Sequence, residues 1–154
     1  MKVETLAIVY QPPRVLLAMK KRGFGEGKWN GFGGKLQEGE ALEDCVVRET
    51  REEGGITLIN PELVGKVRFI FLDGDEDHLA YFYRATEYEG TPRETEEMKP
   101  EWFDADKLPY DQMWPDDKHW MPLLLQKRKF DGRFGFMGKD IEFFELNEVE
   151  KIEI

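Results

Sequence analysis

The sequence contains very little cysteine and no long apolar run. Its single cysteine, Cys45, cannot form a disulfide within the chain, which suits a reducing compartment such as the cytoplasm. A small buried side chain is the expected role of this cysteine, with a nucleophile as the alternative. No stretch of about 20 apolar residues is present, so no membrane-spanning helix is expected. The first residues also lack the apolar segment and cleavage site of a secretory signal.

Basic residues are outnumbered by acidic ones. The 154 residues include 22 Lys and Arg against 32 Asp and Glu, which gives a formal net charge of −10. Proteins that bind polymeric nucleic acid need a basic surface, so that partner is not expected. A small anionic ligand remains compatible if a cation or a local basic group offsets the repulsion, and simple solubility is the other reason for such acidity. Because repeats and linkers are absent, we expect one domain over residues 1–154. The leading hypothesis is a monomer.

Strand and helix signals are mixed along the chain without strict alternation. Two helices are predicted, one over 41–53 that ends at Gly54-Gly55 and one over about 115–129. Residues 22–35 are rich in glycine and aromatics, which predicts a loop whose backbone approaches something closely. The predicted strands share apolar, β-branched or aromatic composition and cover 6–10, 15–19, 63–72, 78–85, 134–137 and 141–146. Residues 102–108 are expected to form a short connector, and the whole predicts an α/β fold with a mixed sheet between helices.

The first predicted helix carries three glutamates near its C-terminal end, where their negative charges are energetically unfavourable. On a helical wheel of about 100° per residue, Glu49 and Glu53 continue the apolar stripe of Leu42 and Val46, and Glu52 lies beside them. Neighbouring carboxylates repel, lose hydration when partly buried and are disfavoured at a helix C-terminus. A hard divalent cation such as magnesium or manganese would offset these costs. A solvated acidic helix end is the alternative.

These glutamates belong to a longer motif. Gly34 is followed by five residues, Glu40, seven residues and then Arg48-Glu-Thr-Arg-Glu-Glu-Gly-Gly-Ile56. The pattern resembles the Nudix box, and only Thr50, where an aliphatic residue is commoner, departs from it. The resemblance implies the Nudix fold, an α/β/α sandwich with a mixed sheet, in which the motif forms a loop, a helix and a loop. It also implies attack by water on an inner phosphorus of a nucleotide.

The resemblance assigns roles to the residues of the motif. Arg48 would orient a carboxylate of the motif, and Gly34 would let the loop turn. Either Glu49 or Glu53 would take the proton from water, and spacing does not choose between them. The implied metal ligands are all oxygen donors: Glu49, Glu52, Glu53, Glu97 and the carbonyl of Gly33.

Similarity beyond the motif points to one branch of the family, the MutT homologues that hydrolyse oxidised purine nucleoside triphosphates. It runs through segments 20–25, 29–40 and 113–117 and continues to the last hairpin. The resemblance implies hydrolysis of 8-oxo-dGTP and 2-hydroxy-dATP to the monophosphate and pyrophosphate, which would sanitise the nucleotide pool. Asn30, Asp116 and Asp117 would read the base while Trp114 stacks on it. The other implied substrate contacts are Thr5, Lys20, Phe24, Phe32, Gly33, Gly34, Lys35, Phe69, Met98, Pro115 and Trp120.

Each of these residues also has a structural interpretation. Asp116 and Asp117 follow a proline at a predicted helix start, where aspartate is a common cap. Asn30 before a glycine is typical of a turn, Trp114 of packing, and Lys20 of a solvated strand end. The alternative functions are a Nudix hydrolase of another nucleotide, such as an O6-alkylguanine nucleotide, a nucleoside diphosphate derivative or a capped RNA end, or a catalytically silent binding module.

Overall fold

The structure is a computed structural model that describes all 154 residues. Its elements follow in the order β1 Lys2–Gln11, β2 Arg14–Lys20, β3 Trp29–Asn30, β4 Phe32–Lys35, α1 Leu42–Gly54, β5 Thr57–Ile59, β6 Glu62–Phe71, β7 His78–Ala85, β8 Glu87–Glu89, β9 Met98–Asp104, α2 Asp117–Leu125, β10 Phe130–Met137 and β11 Asp140–Glu148.

A mixed sheet of nine strands forms the centre of the fold. Its strand order is β11-β10-β6-β7-β1-β2-β3, with β4 paired to β1 and β9 paired to β2. The pairs β1–β7 and β6–β10 are parallel, and the remaining pairs are antiparallel. Strands β5 and β8 form a separate antiparallel pair. The sheet therefore has the mixed character that the irregular order of signals predicts.

Each face of the sheet is covered by one helix. On one face Trp120, Met121 and Leu124 of α2 belong to a cluster of 15 buried apolar residues. On the other face Val46 of α1 belongs to a cluster of 12. Side chains alternate between these clusters along the central strands β1, β2 and β7, as the pleat requires. Burial of both helices against one sheet gives three layers, so the predicted α/β/α sandwich is confirmed.

Both predicted helices are present, and one is shorter than expected. Helix α1 ends where predicted, because Gly55 takes a left-handed conformation with φ 75° and its N–H donates to the carbonyl of Arg51. Helix α2 was expected to reach about residue 129 but ends at Leu125. Lys127 has a left-handed φ of 60°, which ends the helix and turns the chain into β10.

Two regions that were expected to lack strands contain them. The first three residues of the predicted connector at 102–108 lie in β9, which pairs with β2 from Arg14 to Lys20. β9 includes Pro100, and proline is tolerated because this strand pairs on only one side. The predicted loop 22–35 contains β3 and β4. Strands β5 and β8 have three residues each and were not predicted either, because such short segments show no clear strand pattern. None of the helices has the length and apolar character needed to cross a membrane.

Candidate active site

The C-terminal end of α1 holds the three motif glutamates at different depths. The Glu53 side chain is 7% exposed, that of Glu49 16% and that of Glu52 58%. This gradient agrees with the helical wheel, which places Glu49 and Glu53 on the continuation of the apolar stripe. The deepest carboxylate is therefore the one at the last turn of the helix.

Glu53 lies between the glycine-rich strand β4 and the end of β2. The backbone N–H of Gly33 donates to Glu53 Oε1 at 2.9 Å, and Lys20 Nζ lies 3.9 Å from Oε2. Burial raises the pKa of Glu53 to about 7, the nearby charges of Glu49 and Glu97 raise it as well, and Gly33 and Lys20 oppose the rise. The ionised form of this carboxylate is thus costly without further positive charge.

Arg48 joins the start and the end of the motif. Its Nε donates to Glu40 Oε2 at 2.7 Å, and its Nη1 donates to Glu49 at 2.8 Å and more weakly to Glu52 at 3.4 Å. The hydrogen bond to Arg48 lowers the pKa of Glu40 to about 2. The arginine therefore fixes the loop before α1 to the carboxylates at its end.

Two adjacent glycines allow β4 to lie between β1 and α1. A Cβ on Gly33 would collide with the carbonyl oxygen of Thr5, and a Cβ on Gly34 would collide with the Glu49 carboxylate. Position 33 requires glycine because the clash is with backbone, and the missing side chain at Gly34 lets the Glu49 carboxylate lie directly against β4. The close backbone approach predicted for residues 22–35 is therefore this contact between β4 and the carboxylates of α1.

The residues at this end fit a divalent cation in their chemistry. They offer carboxylate and carbonyl oxygens, which magnesium and manganese prefer, and Glu53 carries the desolvation cost that a cation would relieve. In the arrangement of this structure no three acidic, histidine or cysteine side chains converge as a ready set of ligands. Lys20 and Arg48 provide the positive charge instead, and Lys20 Nζ also lies 3.7 Å from Glu97.

The segment that carries Glu97 is tied to the end of α1. The backbone N–H of Arg93 donates to the carbonyl of Gly54 at 2.9 Å, and the Thr95 hydroxyl donates to the carbonyl of Glu53 at 3.0 Å. These bonds satisfy carbonyls that a helix end otherwise leaves free. They also fix the start of β9, where Met98 lies, relative to the motif helix.

A cavity of about 750 Å³ extends from Glu53 to the start of α2. It is large enough for a nucleotide-sized ligand. The predicted substrate residues that line it are Thr5, Lys20, Phe24, Asn30, Gly33, Gly34, Lys35, Phe69, Met98, Trp114, Asp116, Asp117 and Trp120. The structure thus brings together residues from both ends of the chain that were assigned from the family resemblance.

Asp116 and Asp117 are almost completely buried at one end of this cavity. Trp120 Nε1 donates to Asp116 Oδ2 at 2.7 Å, while Asp117 Oδ2 has no hydrogen-bond partner in the chain. Burial raises the pKa of both carboxyls, and the Asp116 charge raises that of Asp117 further. Asp116 occupies the N-cap position and Asp117 the first turn of α2, as the structural interpretation expects, but no side chain makes a capping hydrogen bond.

Asn30 and Trp114 combine local contacts with a place in the cavity wall. Asn30 Oδ1 accepts a hydrogen bond from the Gly31 N–H at 2.8 Å, and the residue lies at the end of strand β3 and not in the turn that the structural interpretation expects. Trp114 stacks on Phe24 with ring centroids 5.2 Å apart, and Lys28 Nζ lies 5.3 Å from the centre of the indole. In this conformation the indole therefore packs on protein side chains.

Some of the predicted site residues lie outside the cavity. The Phe32 side chain is fully buried on the α1 side, against Gly54, because alternation along β4 turns it away from the cavity. Pro115 lines a separate shallow groove with Lys118 and His119. Of the acidic residues at the motif end, only Glu53 lines the cavity; Glu49, Glu52 and Glu97 lie beside it.

Other residues that line the cavity belong to no recognised motif, and their place in the site was not predicted. Phe71, Phe82, Phe136, His78 and Glu4 all line the cavity. Phe71 lies two residues beyond the predicted Phe69 on β6, so the two-residue period of a strand could have identified it. The others come from strands whose neighbours in the sheet cannot be read from spacing.

Comparison with known proteins gives a consistent result. Residues 2–124 match the NUDIX domain. The oxidized purine nucleoside triphosphate hydrolase of Danio rerio is 51% identical over 98% of this chain and 97% of its own length, and that of Mus musculus is 49% identical over 97% and 96%. The MutT protein of Bacillus halodurans has a similar structure, with a TM-score of 0.86, 32% identity and coverage of 96% of this chain and 98% of its own. The chain therefore belongs to the Nudix hydrolase family.

Proposed function

We propose that this protein hydrolyses oxidised purine nucleoside triphosphates, including 8-oxo-dGTP and 2-hydroxy-dATP, to the monophosphate and pyrophosphate with magnesium as cofactor. The observation that carries the proposal is one cavity with Glu53 of the motif helix at one end and the buried pair Asp116 and Asp117 at the other. The names and the high identity of the fish and mouse relatives support the same substrate class.

The base-reading end has the chemistry that an oxidised purine requires. Asn30 offers a donor and an acceptor through one amide. The raised pKa values of Asp116 and Asp117 keep a proton on the pair where ordinary aspartates are ionised. An 8-oxopurine carries an N7–H and a C8 oxygen that the normal base lacks, and a 2-hydroxypurine differs at C2. A proton that can reside on either carboxyl lets one site serve both patterns.

The other end would hold the phosphates and the metal. Lys20 and Lys35 line the cavity beside Gly33 and Gly34, so they can contact phosphate oxygens. Glu49, Glu52 and Glu53 would hold magnesium or manganese, with Glu97 and the Gly33 carbonyl as further ligands. A bound ion supplies neutralisation of phosphate charge and a more acidic water. Arg48 would keep Glu49 in place, and Glu49 or Glu53 would accept the proton of the attacking water.

A panel of nucleotides with detection of released pyrophosphate tests this function. We expect 8-oxo-dGTP and 2-hydroxy-dATP to be hydrolysed faster than dGTP and dATP, and chelation of divalent ions to stop the reaction. Equal turnover of dGTP and 8-oxo-dGTP would remove the claim of oxidised-base preference. Faster hydrolysis of an O6-alkylguanine nucleotide, a nucleoside diphosphate derivative or capped RNA would assign another substrate. No hydrolysis with magnesium or manganese would indicate a silent binding module.

We further infer that the protein acts as a monomer on the cytoplasmic nucleotide pool, with the mitochondrial and nuclear pools as alternatives. Cys45 is buried and free, which suits a reducing compartment. Light scattering at several concentrations tests the monomer. The assignment of residues 1–154 to one domain stays a prediction, which a single cooperative unfolding transition would support.

A further inference from the structure

One threonine hydroxyl joins two segments of the candidate site. Thr95 lies between β8 and β9, and its Oγ1 donates to the carbonyl of Glu53 at 3.0 Å. The same oxygen accepts hydrogen bonds from the N–H of Glu97 at 3.3 Å and from the N–H of Met98 at 3.2 Å. A hydroxyl has one donor and two acceptor positions, so every one of them is used. The Nudix motif at residues 34–56 does not include this threonine.

The main chain around Thr95 is also held by hydrogen bonds. Its N–H donates to the carbonyl of Met98 at 2.9 Å, and Lys21 Nζ donates to its carbonyl at 2.9 Å. Lys21 forms an ion pair with Glu94 at 2.6 Å, and its backbone N–H donates to the carbonyl of Glu97 at 2.8 Å. Residues 90–97 contain no helix or strand. The position of Glu97 therefore depends on Thr95 and Lys21 and not on regular structure of its own.

The two acidic residues that Thr95 joins share one cation. Lys20 Nζ lies 3.9 Å from Glu53 Oε2 and 3.7 Å from Glu97 Oε2. Glu53 comes from the last turn of α1 and Glu97 from the segment before β9, so the carboxylates reach the ammonium from separate parts of the chain. An ammonium group therefore occupies the position between two carboxylates whose main chains are bonded to the same hydroxyl.

Two like charges that face each other need a fixed backbone. The carboxylates repel each other, and the segment that carries Glu97 has no regular structure to resist the repulsion. The ion pairs with Lys20 are longer than hydrogen bonds, so they hold neither carboxylate firmly. The Thr95 hydroxyl opposes the movement because it bonds to the main chain of both acidic residues.

We propose that Thr95 is a positioning residue that sets the spacing of the Glu53 and Glu97 carboxylates for a divalent cation. The cation would replace the ammonium of Lys20, which lines the cavity and could then contact phosphate oxygens. The inference rests on the proposed function, because it concerns the metal site of that function. Substitution of groups that orient metal ligands commonly weakens metal affinity by roughly 10- to 100-fold.

Direct binding of Mn²⁺ tests the inference without turnover. Bound Mn²⁺ loses the sharp electron paramagnetic resonance signal of the free ion, so a titration gives a dissociation constant for each variant. Thr95→Val keeps the shape of the side chain but replaces the hydroxyl with a methyl group, and it should raise this constant by roughly tenfold. Thr95→Ala also removes the hydroxyl and should behave in the same way. Thr95→Ser keeps the hydroxyl and should bind Mn²⁺ as the unaltered protein does.

Thr57→Val is the matched control. Thr57 Oγ1 accepts a hydrogen bond at 3.3 Å from Arg51 of the same helix α1, but Thr57 does not line the cavity. This variant also exchanges one hydroxyl for a methyl group and should leave the dissociation constant unchanged. Thermal unfolding shows whether each variant keeps its fold.

Turnover separates positioning from a purely structural role. Thr95→Val should need roughly tenfold more Mg²⁺ for half-maximal hydrolysis of 8-oxo-dGTP, and its kcat should recover at saturating Mg²⁺. A segment that is merely destabilised would lower kcat at every Mg²⁺ concentration and leave the midpoint of the Mg²⁺ titration unchanged.

The outcomes separate this inference from the proposed function. Unchanged Mn²⁺ binding in Thr95→Val and Thr95→Ala, or equal weakening in Thr95→Ser, would overturn the role of the hydroxyl and leave the function intact. Variants that bind Mn²⁺ in the expected order, in a protein that hydrolyses no 8-oxo-dGTP, would overturn the function and support the role of Thr95. A protein that neither binds Mn²⁺ nor responds to Mg²⁺ would overturn both.

Discussion

The end of α1 and the start of α2 both remove carboxylates from water, but they offset the charge by different means. At the end of α1, Lys20 and Arg48 lie within 4 Å of glutamate oxygens, and the backbone of Gly33 donates to Glu53. At the start of α2, the hydrogen bond to Asp116 comes from the uncharged indole of Trp120. Nearby cations offset part of the charge at the end of α1, whereas the pair at the start of α2 keeps a proton.

The difference separates two kinds of chemistry within one cavity. Carboxylates balanced by cations can exchange lysine or arginine for a metal ion and so serve phosphate chemistry. Carboxyls that keep a proton can donate as well as accept, and so serve recognition of a base edge. In the proposed function, burial at both ends of the cavity would let one small chain combine a reaction site with a site that reads the base.

The strongest way to break this comparison is Glu53→Gln at the metal end. The substitution removes the charge that a divalent ion needs but keeps an acceptor for the Gly33 N–H. We expect kcat for 8-oxo-dGTP to fall by roughly 10²- to 10⁴-fold with no loss of thermal stability, measured by pyrophosphate release and by unfolding. Glu43→Gln in the first turn of the same helix is the control. Near-normal activity of Glu53→Gln would refute its place in the metal site.

The next largest effect should come from Asp116→Asn at the reading end. It fixes one partner of the pair as an amide, so the shared proton can no longer move between the two carboxyls. We expect the preference for 8-oxo-dGTP over dGTP to fall roughly 10- to 100-fold, with Asn30→Ala acting in the same direction. Asp111→Asn, outside the cavity, is the control. Unchanged selectivity in both variants would show that Asp116 and Asn30 have structural roles only.

The pH dependence of stability sharpens the comparison at Asp117. Burial raises its pKa well above the usual value, so the folded protein keeps a proton that the unfolded chain releases above about pH 4. This residue therefore costs stability as pH rises from about 4 through the raised folded pKa. Asp117→Asn cannot ionise and should gain stability relative to the unaltered protein over that window, with roughly 2–4 °C of Tm for each kcal/mol. A Tm difference that shrinks between pH 4.5 and 7.5 would contradict the protonated pair.

The smallest effect should come from Thr50, the one residue that departs from the motif. It is fully buried on α1, and its hydroxyl donates to the carbonyl of Val46 at 2.7 Å. The polar atom is therefore satisfied within the helix and needs neither a cation nor a proton. We expect Thr50→Val to change stability by at most about 1 kcal/mol and to leave kcat unchanged, as shown by denaturant titration and pyrophosphate release. A large loss of activity would show that the hydroxyl contributes to the metal end.

The motif helix could be predicted because its signals are local. Wheel positions place Glu49 and Glu53 beside the apolar stripe, and the glycine pair after the helix marks its end. The depth of Glu53 follows from the same arithmetic. The exact neighbours of that carboxylate do not, because Lys20 and Gly33 reach it only through the pairing of β1, β2 and β4.

Local sequence patterns do not predict which residues line the cavity. His78 and Phe136 come from strands that lie apart in the sheet, so their convergence depends on strand order. Phe32 was expected at the nucleotide, but a single step along β4 turns its side chain to the other face. The length of β9 was also missed, because a proline within a polar segment argues against a strand unless the segment is known to lie at an edge.

The hydrogen bonds from Arg93 and Thr95 to the last carbonyls of α1 have a mechanical consequence. They join the segment before Met98 to the helix that carries Glu53 through one main-chain hydrogen bond and one from a threonine side chain. A bulky purine that pushes Met98 aside would therefore strain the helix end as well. In the proposed function, this link would couple the position of the base beside Met98 to the position of the Glu53 carboxylate.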